Sequence, residues 1–287
     1  MDFLRSRHGL GGEPNEAVNR LSALPLAATR TPMTWDPAQY RRFSGHRLRP
    51  AVDLLGRVPL DAPRTVVDLG CGEGAVTRLL RQRWPYADLT GVDGSAEMLE
   101  VAAREVAGVT WMQADIRTWK PPAPVDLMFS NAVLHWLEDH TSLFLHLAEA
   151  VKAGGTMAVQ MPRNFAASSH TLITDVALDG PWRERLTPLL RPEPVATPEF
   201  YYGLLASRVT HLDIWETEYL QVLEGDNPVA EWTKGTWLRP LLAALDGEES
   251  QLFESEYRKR VAQAYPRQQD GRTLYPFRRL FIVAQIA

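Results

Sequence analysis

The chain has 287 residues, of which 45% are hydrophobic and 23% charged, and this composition is typical of an ordinary globular protein. Its 31 Lys and Arg against 35 Asp and Glu leave a net charge of −4, too weak a field to attract nucleic acid or an anionic membrane. The only cysteine, Cys71, excludes an intramolecular disulfide and a multi-cysteine metal site. No apolar run approaches the roughly 20 residues of a membrane helix, so we expect a protein of the reducing cytoplasm.

The chain begins with a segment of low regularity. Residues 1–33 mix Gly, Pro, Asn and Arg with little periodicity, which predicts a mobile N-terminal extension. Two helix-start signatures follow, with Pro37 and Pro50 each expected at the first helical position. Residues 34–287 are then predicted to form a single domain.

From residue 65 onward, short β-rich runs alternate with helical stretches. The predicted strands are residues 65–70, 88–94, 110–115, 125–131, 155–161, 211–223 and 276–285. The helix before the fifth strand is expected to end at Gly154 and Gly155. Because parallel strands need crossover helices, this alternation predicts an α/β fold with a mostly parallel sheet covered on both faces. Two irregular blocks, 163–208 and 225–272, are interpreted as insertions that form a substrate lid.

The strongest local motif is VVDLGCGEG, residues 66–74. Gly70, Gly72 and Gly74 fall between a predicted strand and a predicted helix, where residues without Cβ atoms allow a tight turn and close approach to a ligand. The N–H groups that open the helix point toward the same place. The motif predicts a nucleotide-like cofactor. Because Ala75 also fits the dinucleotide pattern, a nicotinamide-dependent oxidoreductase is an alternative.

Three aspartates end consecutive predicted strands behind this turn. Asp68 stands where a dinucleotide fold usually has an apolar residue, and its carboxylate suits a cofactor with an amino group better than a pyrophosphate. Asp93 is placed to accept hydrogen bonds from both ribose hydroxyls. Asp115 is placed to accept from an adenine amino group, with Ile116 packing beside the ring. One such aspartate could simply cap the following helix, but three together favour a cofactor site.

The motifs DLGCGEG, GVDGS, QADI and SNAVLHWL resemble the cofactor motifs of class I S-adenosylmethionine-dependent methyltransferases, over residues 60–162. This resemblance implies a Rossmann-like fold whose seven-stranded, mostly parallel sheet has an antiparallel last strand, and S-adenosylmethionine as cofactor. Asn131 is expected to contact the cofactor and Trp136 to wall the methyl-transfer cleft. His135 could donate to a substrate carboxylate, or be a core or capping histidine.

Other stretches extend the resemblance over nearly all of residues 34–285, to the branch of that superfamily that methylates trans-aconitate. They are WDPAQYRRFSGHRLRPAVDLL, VQMPRN, WTKGTWLRP and RRLFIVA, whereas NFAASSH departs from the pattern of that branch. The implied reaction is methyl transfer to one carboxylate of this small tricarboxylate, giving a monomethyl ester. Carboxylates with a pKa of about 4 are already ionised at neutral pH, so we expect positioning to dominate, without an acid-base residue or a metal.

A tricarboxylate demands positive charge, because its two non-reacting carboxylates are costly to desolvate unless they are paired. Arginine suits this role, since its planar fork donates two parallel hydrogen bonds to a carboxylate. The available donors are Arg47, Arg49, Arg163, Arg239, Arg278 and Arg279. The substrate-binding set is predicted to include Arg47, Arg163 and Arg279. Side chains alternate along a strand, so Arg278 and Arg279 should point to opposite faces, and the resemblance favours Arg279.

Two further functional classes fit the sequence. One is a methyltransferase for another small carboxylic acid or a carrier-bound acyl chain. The other is a cofactor-binding protein without catalysis, because the reaction requires no distinctive catalytic side chain. We expect Trp215, Trp232 and Trp237 to serve packing rather than recognition. Nothing in the sequence indicates an oligomeric state.

Overall fold

The computed structural model describes residues 44–287, apart from the side chains of Ser44, His46 and Arg47. The predicted mobile extension and the helix start at Pro37 lie outside these residues.

Helix α1 spans Ser44–Gly56 and includes the second predicted helix start. Pro50 was expected at its first position but lies in its interior. An interior proline removes one backbone hydrogen bond, and its ring crowds the carbonyl four residues earlier, so Pro50 weakens this part of α1.

The remaining elements alternate as the sequence predicts as far as the fifth strand. In chain order they are β1 (Thr65–Leu69), α2 (Ala75–Arg83), β2 (Asp88–Asp93), α3 (Ala96–Glu105), β3 (Thr110–Gln113), β4 (Val125–Asn131), α4 (His140–Glu149) and β5 (Val151–Pro162). The second half of the chain contributes α5 (Ser168–Asp179), α6 (Arg183–Leu186), α7 (Pro198–Leu205), β6 (Val209–Leu223), α8 (Pro228–Lys234), α9 (Arg239–Ala243), α10 (Gly247–Ala264) and β7 (Thr273–Ile286).

The seven strands form one sheet in the order β3-β2-β1-β4-β5-β7-β6. Strands β1 to β5 pair in parallel, whereas β7 lies between β5 and β6 and runs antiparallel to both. The start of β7 therefore lies at the same edge as the carboxyl ends of β1, β4 and β5, as the sequence predicts. That edge is where an open α/β sheet binds its ligands.

The predicted boundaries around Gly154 and Gly155 are wrong. Helix α4 ends at Glu149, and β5 begins at Val151 and runs through Gly154 and Gly155. The two glycines lie at an irregularity in the pairing of β5 with β4, with Gly154 at a φ of 77°. Glycines with a left-handed backbone occur in bulged strands as well as at helix ends, which explains the error.

Each face of the sheet is covered by its own hydrophobic core. On one face α1 and α2 pack through Leu54 and Leu80 against strand residues that include Phe129 and Phe281. On the other, α4 and α7 pack through Phe144 and Tyr201. A third core is built by α5, α6, α8, α9 and α10 around Phe253 and Tyr257, together with the start of β7. The two irregular blocks thus share a hydrophobic core that is distinct from the cores on the two faces of the sheet.

No helix between residues 44 and 287 is both long enough and apolar enough to cross a membrane.

Candidate active site

The glycine loop between β1 and α2 adopts a left-handed backbone at three positions. The φ angles of Gly70, Gly72 and Gly74 are 77°, 54° and 82°. A Cβ atom at Gly70 would lie 2.5 Å from Cγ1 of Val133, so a side chain there would collide with the turn that follows β4. The loop therefore requires glycine both for its backbone angles and for its close packing. No side chain caps α2, which leaves its N-terminus facing the loop.

Asp93 ties this loop to the end of β2. Its Oδ2 accepts a hydrogen bond of 2.9 Å from the N–H of Gly72, and its Oδ1 accepts one of 2.9 Å from the N–H of Ser95. Each carboxylate oxygen can accept more than one bond, so both stay able to accept from a ligand hydroxyl. Asp93 thus shapes the loop and remains suited to the predicted ribose contact.

Asp68 is buried at the end of β1, with 1% of its surface exposed. Its pKa is raised to about 7, mainly by burial and to a smaller extent by the nearby charge of Asp93, while a hydrogen bond from Thr77 opposes the shift. That bond joins Thr77 Oγ1 to Asp68 Oδ2 at 2.5 Å. A buried carboxylate of this kind is stabilised by a neighbouring cation, as the sequence predicts for a cofactor amino group. Sequence reasoning missed Thr77, whose only signal was its place in the first turn of α2.

Asp115 does not end a strand as predicted, because β3 stops at Gln113. Its carboxylate is turned toward Arg117, accepting from the backbone N–H at 3.0 Å and from Nε at 2.9 Å. These bonds hold its pKa below the ordinary value. Ile116 is buried in the core below β1 and β2. An adenine contact by these two residues stays a prediction.

The turn after β4 is strained and lies over the edge of the sheet. Ala132 has a φ of 57°, a left-handed value that costs a residue with a side chain on the order of 1–3 kcal/mol. Its N–H donates to the carbonyl of Gln160 on β5 at 2.9 Å. The turn leads into a single 3-10 turn, Leu134–Trp136. Asn131 ends β4, and its Oδ1 is buried and makes no hydrogen bond with any residue that the structure describes.

A cleft opens beside this turn. It is lined by Ala132, His135, Trp136, Pro162, Phe165, His170, Trp232, Thr236, Trp237, Phe277 and Arg279. Both irregular blocks contribute to it, which is consistent with their predicted role as a lid. Among the predicted substrate residues, the structure brings His135, Trp136 and Arg279 together here.

The two adjacent arginines of β7 point to opposite faces of the sheet, as the alternation predicts. Arg279 is 3% exposed, lies 4.7 Å above the centre of the Phe277 ring and donates from Nη1 to Gln160 Oε1 at 3.4 Å. Arg278 is half exposed, with its guanidinium 3.9 Å from the carboxylate of Glu218. Only Arg279 faces the cleft.

Arg163 lies on the face opposite Arg279, and its predicted contact with the substrate stays a prediction. Arg279 is in register with Thr217, so the neighbouring Glu216 points the other way. Arg163 pairs with that Glu216 at 2.5 Å and donates from Nε to the carbonyl of Ala196. The alternation at the end of β5 puts Pro162, not Arg163, on the cleft wall.

Arg47 lies in α1, but its side chain is outside the described part of the chain. Its predicted contact with the substrate stays a prediction.

Two histidines of the cleft are neutral at physiological pH. Burial, together with the charge of Arg279, lowers the pKa of His135 to about 3. Burial likewise lowers the pKa of His170 to about 4. His135 Nδ1 makes no hydrogen bond with the residues described. A neutral imidazole donates one N–H without adding a charge, so these rings are suited to recognition rather than to proton transfer.

Aromatic rings form the wall opposite the sheet edge. Trp136 stacks on Trp237 with ring centres 5.9 Å apart, and Phe165 meets Trp237 edge-on at 4.9 Å. Trp232 packs on Tyr275 and Phe277 as expected, and both Trp232 and Trp237 also line the cleft. Trp215 does serve packing, stacked on Phe281 at 4.8 Å.

Sequence reasoning also missed Gln160, Phe165, His170 and Thr236. His170 is held by a buried chain in which Tyr275 donates to Ser169 Oγ at 3.0 Å and Ser169 Oγ lies 3.0 Å from His170 Nδ1. The partners are 106 residues apart in sequence, so no local pattern could reveal them.

Comparison with known proteins agrees with this site. Residues 66–155 match a family described as a methyltransferase domain. Among solved structures, the fold is similar to that of the YcgJ protein of Bacillus subtilis, with a TM-score of 0.52 and 14% identity over 82% of this chain and 97% of that one. It is also similar to phosphoethanolamine N-methyltransferase 2 of Haemonchus contortus in complex with S-adenosyl-L-methionine, with a TM-score of 0.50 and 16% identity over 83% of this chain and 53% of that one.

Curated relatives are much closer. The trans-aconitate 2-methyltransferase of Azoarcus sp. (strain BH72) is 48% identical over 88% of this chain and 98% of the relative. The enzyme of the same name from Streptomyces coelicolor is 47% identical over 89% of this chain and 88% of the relative. That from Pseudomonas aeruginosa is 46% identical over 88% and 94%. With a class I methyltransferase fold and this similarity along nearly the whole length of its relatives, the chain belongs to the trans-aconitate 2-methyltransferase family.

Proposed function

We propose that this protein transfers the methyl group of S-adenosylmethionine to one carboxylate of trans-aconitate, giving a monomethyl ester and S-adenosylhomocysteine. The observation that carries the proposal is the buried guanidinium of Arg279 on the wall of a cleft beside the glycine loop. A buried arginine facing a cleft is suited to an anionic ligand, and its fork matches a carboxylate.

The cofactor site is assigned to the loop of Gly70, Gly72 and Gly74 with Asp68 and Asp93. Bound there, S-adenosylmethionine supplies an activated methyl group on a positively charged sulfur. Asp68 favours the cofactor amino group, because pairing stabilises a carboxylate that burial otherwise penalises. Asp93 accepts from the ribose hydroxyls, and Asn131 ends β4, which lies on the other side of β1.

The residues of the cleft act by positioning the acceptor. The substrate carboxylate is ionised at neutral pH, with a pKa of about 4, so the nucleophile needs no general base. Both cleft histidines are neutral, which fits hydrogen-bond donation to a carboxylate. Holding an oxygen about 3–3.5 Å from the methyl carbon and in line with the sulfur can supply on the order of 7–11 kcal/mol.

The aromatic wall excludes water from the reacting groups. Trp136, Trp237 and Phe165 contact one another, and two of them come from the irregular blocks on either side of β6. We propose that these blocks, 163–208 and 225–272, form the lid of a single methyltransferase domain. A dry cleft strengthens the attraction between Arg279 and a carboxylate.

We further propose that the protein works in the cytoplasm on a free small molecule, without a nucleic-acid partner. The single cysteine and the net charge of −4 support this proposal. Cell fractionation with an antibody against the protein checks the location.

The function is tested by incubating the purified protein with S-adenosylmethionine labelled in its methyl group and a panel of di- and tricarboxylates. We expect trans-aconitate monomethyl ester, identified by mass spectrometry, with a higher kcat/KM than for any monocarboxylate. If trans-aconitate gives no ester, the substrate assignment is wrong. Activity on a monocarboxylate alone would favour a methyltransferase for another small acid or an acyl chain, and tight binding of NAD would favour an oxidoreductase.

A further inference from the structure

Gln160 is completely buried on β5, two residues before Pro162 of the cleft wall and therefore on the same face of the sheet. Its Oε1 accepts a hydrogen bond of 3.4 Å from Arg279 Nη1. Its Nε2 is also buried but makes no hydrogen bond with the described residues. A buried amide nitrogen without an acceptor is unfavourable for the folded protein unless a ligand supplies that acceptor.

The orientation of this amide follows from its neighbour. A guanidinium has five donors and no acceptor, so the group of Gln160 that faces Arg279 must be the carbonyl oxygen. The NH2 group of Gln160 therefore points away from the arginine, and the two side chains together present only N–H donors to a ligand. A set of donors without an acceptor recognises an anion.

Gln160 lies in the sheet between the cofactor side of the site and the strand that carries Arg279. It is in register with Asn131 on β4, and β5 itself lies between β4 and the strand of Arg279. The end of β4 is tied to the cofactor loop, because Ser130 Oγ donates to the carbonyl of Leu69 at 3.0 Å. Gln160 thus stands between the cofactor edge of the sheet and the arginine.

We propose that Gln160 is a specificity-determining residue of the acceptor site. Its carbonyl oxygen holds the guanidinium of Arg279 toward the cleft, and its NH2 group donates to the substrate carboxylate that Arg279 binds. This inference rests on the proposed function, because it takes the acceptor to be a small polycarboxylate.

Two substitutions test the two halves of this claim. Gln160→Met keeps the volume but removes both polar groups, and we expect the KM for trans-aconitate to rise at least 10-fold. Gln160→Glu keeps the shape but places a carboxylate against Arg279, and we expect kcat/KM to fall at least 100-fold because the new charge competes with the substrate. In both variants the affinity for S-adenosylhomocysteine, measured by calorimetry, should change less than 2-fold.

Thr156→Val is the matched control. Thr156 lies on β5 four residues before Gln160, is equally buried, and its Oγ1 also makes no hydrogen bond among the described residues. Side chains four residues apart on a strand share a face. Loss of a buried polar group alone therefore predicts similar effects in the Thr156 and Gln160 variants, whereas we expect the KM of Thr156→Val to equal that of the wild type.

The outcomes separate this inference from the proposed function. A wild-type protein that methylates trans-aconitate, with an unchanged KM in Gln160→Met, overturns the role of Gln160 and leaves the function standing. If another carboxylate is the true acceptor, the variants are compared on it, and a selective rise in KM supports Gln160 while the trans-aconitate assignment fails. If no carboxylate is methylated, both fail.

A measurement on the wild type covers the case in which the Gln160 variants do not fold. In protein labelled with 15N, the side-chain amide protons of Gln160 should move downfield when trans-aconitate is added to the complex with S-adenosylhomocysteine. Amide signals that do not respond to trans-aconitate would contradict direct donation.

Discussion

The cofactor half and the substrate half of the cleft are built in different ways. At the ends of β1 and β2, hydrogen bonds join residues close in sequence: Gly72 to Asp93 over 21 positions and Thr77 to Asp68 over nine. At the ends of β5 and β7, Arg279 reaches Gln160 over 119 positions. The cofactor half is therefore formed by residues of short, contiguous motifs. The substrate half is formed by residues far apart in sequence, which the folded sheet brings together.

The two halves also differ in charge. Two carboxylates, Asp68 and Asp93, face the glycine loop, while the cleft beside it has Arg279 and two neutral histidines. This separation matches a cofactor with an ammonium group and an acceptor with carboxylates. Substitutions in one half should leave binding to the other half nearly unchanged, and the following predictions test that separation.

The largest effect is expected at Arg279. Replacement by Met removes two charge-assisted hydrogen bonds, about 1.5–3 kcal/mol each, so kcat/KM for trans-aconitate should fall on the order of 10²–10⁴-fold. The affinity for S-adenosylhomocysteine should stay within about 2-fold if the halves are independent. Arg278→Met, on the exposed face of the same strand, is the control and should behave as the wild type. Equal losses in both variants would show that β7 needs the charge for folding rather than for the substrate.

A smaller effect is expected at Asp93, and it should weaken binding of the cofactor rather than of the substrate. Its replacement by Ala frees the N–H groups of Gly72 and Ser95 and removes the acceptor for the ribose. The loss of charge-assisted bonds of about 1.5–3 kcal/mol predicts cofactor binding weakened roughly 10- to 100-fold, measured by calorimetry with S-adenosylhomocysteine. At saturating cofactor the KM for trans-aconitate should change little. A rise in that KM as large as in Arg279→Met would refute the separation.

Asp68 predicts a pH dependence confined to the cofactor half. Burial raises its pKa to about 7 in the folded protein without ligand, against 3.8 for an ordinary aspartate. Below that pH the carboxylate is protonated and no longer attracts an ammonium, so affinity for S-adenosylhomocysteine should fall by up to about 10-fold per pH unit. In Asp68→Asn, which can still accept from Thr77, this dependence should vanish. A wild-type affinity that is flat from pH 8 to pH 5.5 would contradict the assignment.

Without cofactor, the stability of the fold should increase as pH falls, whereas the affinity for the cofactor should decrease. The folded state binds more protons than the unfolded state between about pH 4 and pH 7, so the free energy of unfolding should fall as pH rises through that window. Asp68→Asn removes this slope and should be more stable than the wild type at pH 8. Urea unfolding at several pH values measures both effects.

The smallest effect is expected at Arg163. Its ion pair with Glu216 lies on the face of the sheet opposite the cleft. The side chain of Arg163 is 17% exposed and that of Glu216 is 27% exposed. Pairs near the surface contribute about 0–1 kcal/mol, so Arg163→Ala should lower stability slightly and change kcat/KM less than about 2-fold. Kinetic assays beside thermal unfolding measure the two quantities. A rise in KM above 10-fold would return Arg163 to the substrate site.

How far the sequence predicted the site follows from the same comparison. The parallel part of the sheet and the positions of Gly70, Asp68 and Asp93 could be predicted, because each depends on a short pattern of strand, turn and helix, whereas the antiparallel β7 was implied by the resemblance. Strand alternation predicted that Arg278 and Arg279 point to opposite faces, whereas the choice of Arg279 came from the resemblance.

The misses lie where no local pattern operates. Gln160 looks like any residue of a buried strand until β7 brings Arg279 beside it, and Trp237 looks like packing until the irregular block folds over the cleft. The side-chain direction of Arg163 could not be predicted, because it lies just past the end of a strand and its ion pair with Glu216 fixes its face. The sequence predicts a helix end at Gly154 and Gly155 of β5. A left-handed glycine occurs both in bulged strands and at helix ends, so the sequence does not distinguish the two.

The central claim is that one guanidinium holds the acceptor while a separate set of acids and glycines holds the cofactor. Titration of trans-aconitate into the complex with S-adenosylhomocysteine, followed by calorimetry in the wild type and in Arg279→Met, tests it most directly. We predict binding of one trans-aconitate per chain in the wild type and no detectable binding in the variant, with the S-adenosylhomocysteine affinity of the two proteins equal. Equal affinity of both proteins for trans-aconitate would contradict the account.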